Sequence, residues 1–170
     1  MSCIFCTEIK QGTPNIFLQN ELWVARFDMM PLVPGHVEIL PKAHIERTYW
    51  LTDKHYASMG VFTKQVMDRL VSWNIGHFYS KHLLDYAAQN PLSQRMINDA
   101  ISSGLNDQWT PEGWIIEMAD GVLAGQSVPH LHQHIIPLTK ELVEARKLDL
   151  RFHVRLLFPD DLYVRTMLGN

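Results

Sequence analysis

Several features that mark other classes of protein are scarce or missing in this chain of 170 residues. It has only two cysteines, whereas a secreted disulfide scaffold would carry more. No apolar run reaches the roughly 20 residues that span a membrane, and the first residues lack the basic start and apolar stretch of a signal peptide. With a net charge of −3 and no block of lysine and arginine, it is unlike proteins that bind duplex nucleic acid. We therefore expect a cytoplasmic protein with no membrane or duplex partner.

The composition is that of one globular domain, since 46% of the residues are apolar and 19% are charged. Short β-rich runs alternate with stretches in which apolar residues have helical spacing. This order predicts an α+β fold in which helices pack on an antiparallel sheet. Cys3–Lys10 is predicted to be a short helix or turn, and a helix capped by Thr52 is predicted to run to about Trp73. A further helix is predicted to begin at Asn90-Pro91 and to stop at Ser102-Ser103-Gly104. The predicted strands cover 16–18 and 22–27, joined as a hairpin around residues 19–21, then 36–40, 114–118, the segment that follows Pro129 and, weakly, 151–158.

The most informative segment contains three alternating histidines, His130, His132 and His134. If the segment is a β-strand, side chains at alternate positions point to one face, so all three imidazoles line one wall. Imidazole titrates near neutral pH, binds metals and acts as a nucleophile. Two chemistries follow from the spacing: covalent catalysis by one histidine, or a catalytic zinc held by all three.

A loop rich in small residues, Asp120 to Pro129, comes directly before the histidines. Gly121 and Gly125 allow the backbone to approach a ligand closely, and backbone N–H groups in such a turn can bind an anion. Ser127 adds a hydroxyl group. The loop and the histidines together predict a site at which a phosphate is attacked.

The two cysteines, Cys3 and Cys6, have the spacing of either a redox pair or half of a zinc site. A redox pair normally follows a strand and opens a helix, and Cys3 lies too close to the N-terminus for that. Two unrelated thiols are a third interpretation. The spacing alone does not identify further zinc ligands.

The segment AGQSVPHLHQHIIP, from Ala124 to Pro137, resembles the signature of the histidine triad (HIT) superfamily of nucleotide hydrolases and transferases. Cys3–Cys6, Asp28–Val37 and Leu40–Ile45 also fit motifs of that family, so the resemblance covers roughly residues 2–72 and 114–137. It implies a sheet of about five strands, a homodimer, and a helical insertion at about 74–110.

The resemblance also implies a reaction at the α-phosphate of a nucleotide or dinucleotide through a nucleotidyl-histidine intermediate. The nucleophile would be His132, with its second ring nitrogen donating to a backbone carbonyl. The remaining implied site residues are His134, Ser127, Gln126 and the backbone around Gly125 for the phosphate, Asp28 for the ribose, and Phe5, Ile9 and Phe27 for the base. His36 is expected either behind the triad or as an ordinary core histidine.

By the same resemblance, a structural zinc would be held by Cys3, Cys6, His44 and His130. A closed site with two thiolates and two imidazoles is structural rather than catalytic, so no catalytic metal is required.

Three positions depart from the family pattern. Ala119 stands where Asn or Gln is usual, Arg26 where a hydrophobic residue of the base pocket is frequent, and Leu138 where Arg is frequent. Ala119 and the insertion leave a non-catalytic nucleotide-binding module as an alternative to a hydrolase or transferase. The spacing of the three histidines leaves a second alternative, a zinc-dependent hydrolase.

Overall fold

The computed structural model describes residues 3–88, 91–102, 110–140 and 143–144. The described residues up to 139 form a first compact unit, and the predicted strand 151–158 lies outside the described residues. The elements, all in the first unit, are α1 Ile4–Gln11, β1 Ile16–Gln19, β2 Trp23–Phe27, β3 Val37–Pro41, α2 Asp53–Val71, α3 Ile75–Phe78, α4 Leu84–Ala87, α5 Pro91–Ser102, β4 Gly113–Glu117 and β5 Gln133–Leu138. A π-helical turn, Tyr79–Leu83, joins α3 to α4.

The N-terminal half folds as local sequence signals predict. Gly12 ends α1 with a φ of 63°, a left-handed conformation that glycine adopts without steric cost. The Asn20 side chain then forms the turn of the predicted hairpin, because its Oδ1 accepts from the backbone N–H groups of Leu22 at 2.9 Å and Trp23 at 2.8 Å. Thr52 caps α2 in a capping box with His55. The sequence therefore placed these boundaries within one or two residues.

The predicted α+β fold is confirmed by a five-stranded antiparallel sheet in the order β1-β2-β3-β5-β4. Helix α2 packs on one face of this sheet, where Thr63 Oγ1 donates to Gln133 Oε1 at 2.9 Å. Directly paired residues of an antiparallel sheet point to the same face. Arg26 pairs with Glu38, and Glu38 pairs with His134, so these three side chains lie on the other face. Among the described residues, no helix is long and apolar enough to cross a membrane.

The prediction of a single strand through all three histidines is wrong, because β5 begins only at Gln133. Pro129 has no backbone N–H to donate to a strand ladder. The N–H of His130 donates to the carbonyl of Val128 at 2.8 Å, and that of Leu131 donates to the carbonyl of Ile45 at 2.6 Å. These bonds hold the first two histidines in a turn that leads into the strand.

The helical insertion expected at about 74–110 contains α3, the π-helical turn, α4 and α5. Its last helix begins at Pro91, as the sequence predicts for proline at the first helical position. Asn90, and the predicted stop after Ser102, lie outside the described residues. Tyr79 contributes to the core of this segment, where its buried hydroxyl accepts from the N–H of Gly35 at 3.0 Å.

Phe27 lies on the face of the sheet that α2 covers, and it is fully buried. Its ring contacts four others, with centroid distances of 4.7 Å to Phe17, 6.5 Å to Trp73, 4.8 Å to Phe78 and 5.2 Å to Tyr79. Aromatic clusters of this kind contribute packing energy beyond the area that they bury. Phe27 is therefore a core residue that joins the sheet to the helical layer.

We expect Phe27→Ala to lower the free energy of unfolding by about 3–5 kcal/mol, because it leaves a cavity inside this aromatic cluster. Urea unfolding followed by tryptophan fluorescence measures the loss. If Phe27 contacted a nucleobase instead, the substitution would weaken nucleotide binding by the folded protein with little change in stability.

Candidate active site

His132 is held with one ring nitrogen bonded to the backbone and the other available. Its Nδ1 donates to the carbonyl oxygen of His130 at 2.7 Å, which places the proton on Nδ1 and the lone pair on Nε2. Burial lowers the pKa of His132 below its ordinary value of 6.5. The side chain of Phe5 packs edge-on against it, with ring centroids 5.3 Å apart. The structure therefore presents His132 as a neutral, oriented imidazole.

A second chain of hydrogen bonds sets the proton of His134. The N–H of Leu32 donates to His36 Nδ1 at 3.2 Å, so the proton of neutral His36 is on Nε2, which lies 2.9 Å from His134 Nδ1. His134 accepts that proton's hydrogen bond and carries its own proton on Nε2. Burial lowers the pKa of His36 to about 4 and also lowers that of His134. The ring centroids of His132 and His134 are 5.0 Å apart. The ring with a lone pair on Nε2, that of His132, therefore lies beside the ring with a proton on Nε2, that of His134.

The structure brings Asp28 to the same histidines. Its Oδ2 lies 3.4 Å from His36 Nε2 and 3.9 Å from His134 Nδ1, while Oδ1 accepts from the N–H of Met30 at 2.7 Å. The carboxylate is partly exposed and stands at the end of β2. His36 thus lies behind the triad, as one of its two interpretations expected.

The loop before the triad has a fixed shape. Gly121 and Gly125 have φ values of 97° and 95°, which residues with a side chain rarely adopt. A Cβ on Gly121 would lie 2.0 Å from Nη1 of Arg47, which binds Asp120 at 3.2 Å. The side chain of Gln126 holds the loop, since its Oε1 accepts from the N–H of Gly121 at 2.7 Å and its Nε2 donates to the carbonyl of Glu46 at 3.2 Å.

These contacts change what the loop can offer to a phosphate. Gln126 is buried, and both ends of its side-chain amide are hydrogen-bonded to backbone groups, those of Gly121 and Glu46. Ser127, the next residue, and Gly125 are exposed. The N–H groups of Gly125 and Gln126 donate to the carbonyls of Val122 at 3.0 Å and Gly121 at 3.1 Å. An anion approaching the loop would therefore meet the hydroxyl of Ser127 rather than the Gln126 side chain or these two N–H groups, in contrast to the expectation for Gln126 and the backbone around Gly125.

A second cluster, separate from His132 and His134, has donor atoms that suit a metal ion. The thiols of Cys3 and Cys6 and Nδ1 of His44 and His130 all lie within 4.8 Å of one another. Individual distances are 3.4 Å for Cys3–His130, 3.3 Å for Cys6–His44 and 3.6 Å for Cys6–His130. Two sulfur and two nitrogen donors match the preference of zinc for tetrahedral sites.

The outer contacts of this cluster orient its imidazoles. Nε2 of His130 donates to the carbonyl of Pro41 at 2.9 Å, which leaves Nδ1 for a metal. His44 Nε2 lies 3.1 Å from a carboxylate oxygen of Glu46, an arrangement common behind zinc-bound histidines. Because His130 directs its available nitrogen to the thiols and His132 donates Nδ1 to a carbonyl, the three triad histidines do not converge on one catalytic zinc.

The face of the sheet that carries the histidines also contains a buried charged cluster that sequence reasoning missed. Arg26 forms ion pairs with Glu38 and with Glu8, whose Oε2 lies 2.9 Å from Arg26 Nε. All three are at most 6% exposed, and the guanidinium lies 4.9 Å above the ring of Phe5. The sequence did carry a signal for this cluster, because Arg26 and Glu38 are charged residues inside the otherwise apolar strands β2 and β3.

The predicted base-pocket residues are divided between two places. Phe5 lies against His132, and Ile9, four residues later on α1, is half-buried on the same side of that helix. Phe27 is on the opposite face of the sheet, within the aromatic core described above, so the structure does not bring it to the histidines.

The comparisons with known proteins place the chain in one family. The family model of the HIT domain matches residues 10–141. An adenosine 5′-monophosphoramidase of Schizosaccharomyces pombe is 25% identical over 142 residues, which are 83% of this chain and 77% of the relative. A bis(5′-adenosyl)-triphosphatase of Dictyostelium discoideum is 26% identical over 126 residues, 74% of this chain and 61% of the relative.

Among solved structures, a zinc-bound histidine triad family protein from Mycobacterium smegmatis has the same fold. It superposes with a TM-score of 0.52 at 22% identity and covers 95% of this chain and 99% of its own.

Glu38 gives a pH-dependent prediction, because burial raises its pKa from 4.5 to about 8. Between these values the folded protein keeps a proton that the unfolded chain releases, so this group's contribution to stability falls as pH rises. We expect the free energy of unfolding of wild type, relative to Glu38→Gln, to decrease from about pH 5 to pH 8 in urea titrations. Because the buried histidines are common to both proteins, the difference isolates Glu38, and parallel pH curves would contradict the prediction.

Proposed function

We propose that this chain, which belongs to the HIT domain family, is a nucleotide hydrolase or nucleotidyl transferase that cleaves a phosphoanhydride or phosphoramidate bond at an α-phosphate. The observation that carries the proposal is the bond from His132 Nδ1 to the carbonyl of His130. It supplies a neutral nitrogen nucleophile with a fixed direction. Relatives at 25–26% identity are named as a phosphoramidase and a dinucleoside triphosphatase, which fits the same bond types.

In the proposed reaction, His132 Nε2 donates its lone pair to the α-phosphorus and forms a P–N bond. The bond from phosphorus to the leaving group breaks, and the leaving group departs with that electron pair and takes up a proton. Water or another acceptor then attacks the phosphorus and loses a proton, and the P–N bond breaks with its electrons returning to Nε2. The imidazole begins and ends neutral, in keeping with its lowered pKa.

The surrounding groups have distinct tasks in this proposal. His134 Nε2–H donates to a non-bridging phosphate oxygen, with its tautomer set by His36. The hydroxyl of Ser127 provides a further donor, and one such donor is worth about 3–4 kcal/mol of transition-state stabilisation. Asp28 accepts from the ribose hydroxyls.

We also propose that Cys3, Cys6, His44 and His130 hold a structural zinc ion. When bound, zinc would crosslink α1 to the segments that carry His44 and the triad. Because His130 also supplies the carbonyl that orients His132, the metal site and the nucleophile share one residue. The homodimer and the cytoplasmic location stay predictions.

We expect His132→Ala to abolish turnover of nucleoside phosphoramidates and dinucleoside polyphosphates, because no other group supplies the attacking nitrogen. Mass spectrometry of wild type quenched during turnover should show a nucleotidyl adduct on His132. The matched control is His77→Ala, since His77 is an exposed histidine outside the site. Turnover retained by His132→Ala would contradict covalent catalysis. The alternative of a non-catalytic module, which the small residue at Ala119 suggests, predicts nucleotide binding without any His132-dependent product.

For the metal, we expect elemental analysis of purified protein to give about one zinc per chain, as one four-ligand site requires. Cys6→Ser should lose most of this zinc and melt at a lower temperature, because a metal that binds only the folded state stabilises it. His77→Asn, which removes an exposed imidazole elsewhere, should keep both the zinc and the melting temperature. A Cys6→Ser protein with undiminished zinc would show that the metal is held elsewhere.

A further inference from the structure

The connection between β2 and β3, residues 28–36, carries a residue of the site at each end. Asp28 is its first residue and His36 its last, and the N–H of Asp28 donates to the carbonyl of His36 at 3.1 Å. In the proposed function, on which this step rests, Asp28 binds the ribose and His36 sets the proton of His134. The shape of this loop therefore determines the position of two groups of the site at once.

A tight turn places His36 at the end of the loop. The N–H of His36 donates to the carbonyl of Val33 at 3.1 Å, and Gly35 has a φ of 82°. This bond, with proline at the second position and a glycine of positive φ at the third, defines a type II β-turn. The commoner type I turn differs by a rotation of the central peptide group, which here contains the N–H of Gly35. The direction of that one N–H therefore distinguishes the two turns.

The hydroxyl of Tyr79 is the partner of this N–H. It accepts from Gly35 at 3.0 Å, and both residues are buried. Because a buried N–H without an acceptor is costly, the contact favours the type II turn over its alternative. The ring of Tyr79 packs edge-on against Phe27, the residue before Asp28, with centroids 5.2 Å apart. A single side chain thus contacts the neighbour of each residue that the loop contributes to the site.

Two further observations connect Tyr79 with the site. Burial raises the pKa of Tyr79, and the charge of the Asp28 carboxylate acts in the same direction, so the hydroxyl lies near that carboxylate. Tyr79 is also the first residue of the π-helical turn Tyr79–Leu83, and such turns are frequent at functional sites. The helical segment from α3 to α4 packs on the face of the sheet opposite the histidines, and through Tyr79 it contacts the loop that supplies His36.

We propose that Tyr79 is a positioning residue for the histidine site: it holds the turn at Gly35 in one form and thereby keeps His36 aligned with His134. The alignment is a single bond, from His36 Nε2 to His134 Nδ1 at 2.9 Å. A displacement of about 1 Å caused by a change away from the reacting atoms can lower a rate about 100-fold. Removal of the Tyr79 hydroxyl should therefore lower kcat/KM by about 10- to 100-fold.

The test compares Tyr79→Phe, which removes the hydroxyl and keeps the ring, with wild type. Phe17→Leu is the matched control, because Phe17 packs on Phe27 from β1 at 4.7 Å and the variant loses packing alone. Urea unfolding measures stability, and turnover of adenosine 5′-phosphoramidate gives kcat and KM separately. The NMR shifts of the ring nitrogens in the free protein report the tautomers of His36 and His134, at about pH 8, above the ordinary pKa of histidine.

We expect wild type and Phe17→Leu to carry the proton of both histidines on Nε2. Tyr79→Phe should show mixed tautomers, a lower kcat through His36 and a higher KM through Asp28, although both variants lose stability. In a His36→Asn background, which removes the donor to His134, Tyr79→Phe should no longer lower kcat. Two changes that act through the same residue are not additive, whereas independent changes are.

Tyr79→Phe with the tautomers and kcat of wild type would overturn the proposal and leave Tyr79 as a core residue. Equally mixed tautomers in Phe17→Leu would also overturn it, because loss of packing would then explain the effect. If the tautomers change in Tyr79→Phe alone but wild type turns over no nucleotide, the positioning of His36 stands and the proposed catalysis fails. If turnover depends on His132 and Tyr79→Phe leaves it unchanged, the catalysis stands and the positioning fails.

Discussion

The arrangement of the site depends on one hydrogen bond, from Nδ1 of His132 to the carbonyl oxygen two residues earlier. An imidazole that rotates freely exposes either nitrogen and either tautomer, so its lone pair has no fixed direction. Here the carbonyl of His130 is itself fixed, because the His130 ring is bonded to the carbonyl of Pro41 and faces two thiols. The orientation of the His132 imidazole therefore depends on the cluster that suits a metal, through the single residue His130.

His134 and the loop at Gly121 are also oriented by hydrogen bonds to neighbouring groups. His134 is oriented by His36, and His36 by the N–H of Leu32, so a backbone amide at the end of the chain of bonds decides which nitrogen of His134 is protonated. The loop at Gly121 is oriented by the side chain of Gln126. Each group that faces the site is held by a partner that does not, which is how a site keeps its geometry before a ligand arrives.

How much of this could be predicted from sequence depended on the distance along the chain between the partners. Spacing within one segment was informative: it predicted the grouping of His130, His132 and His134 and the cap at Thr52. The bond from His36 to His134 joins residues 98 positions apart, and the pairing of Arg26 with Glu38 depends on the register of two strands. Phe27 shows the same limit, because alternation along a strand separates its two faces but does not say which one meets the histidines.

The cluster of Arg26, Glu8 and Glu38 lies close enough to the histidines to influence their protonation. A positive charge nearby disfavours protonation of an imidazole, and the field of Arg26 is among the influences that lower the pKa values of His36, His132 and His134, after the larger effect of burial. Asp28 acts in the opposite direction on the same three histidines. An unpaired arginine in this position would be costly to bury, and the carboxylates of Glu8 and Glu38 offset that cost. Of the three residues in this cluster, Arg26 alone is among the causes that keep the imidazole of His132 uncharged.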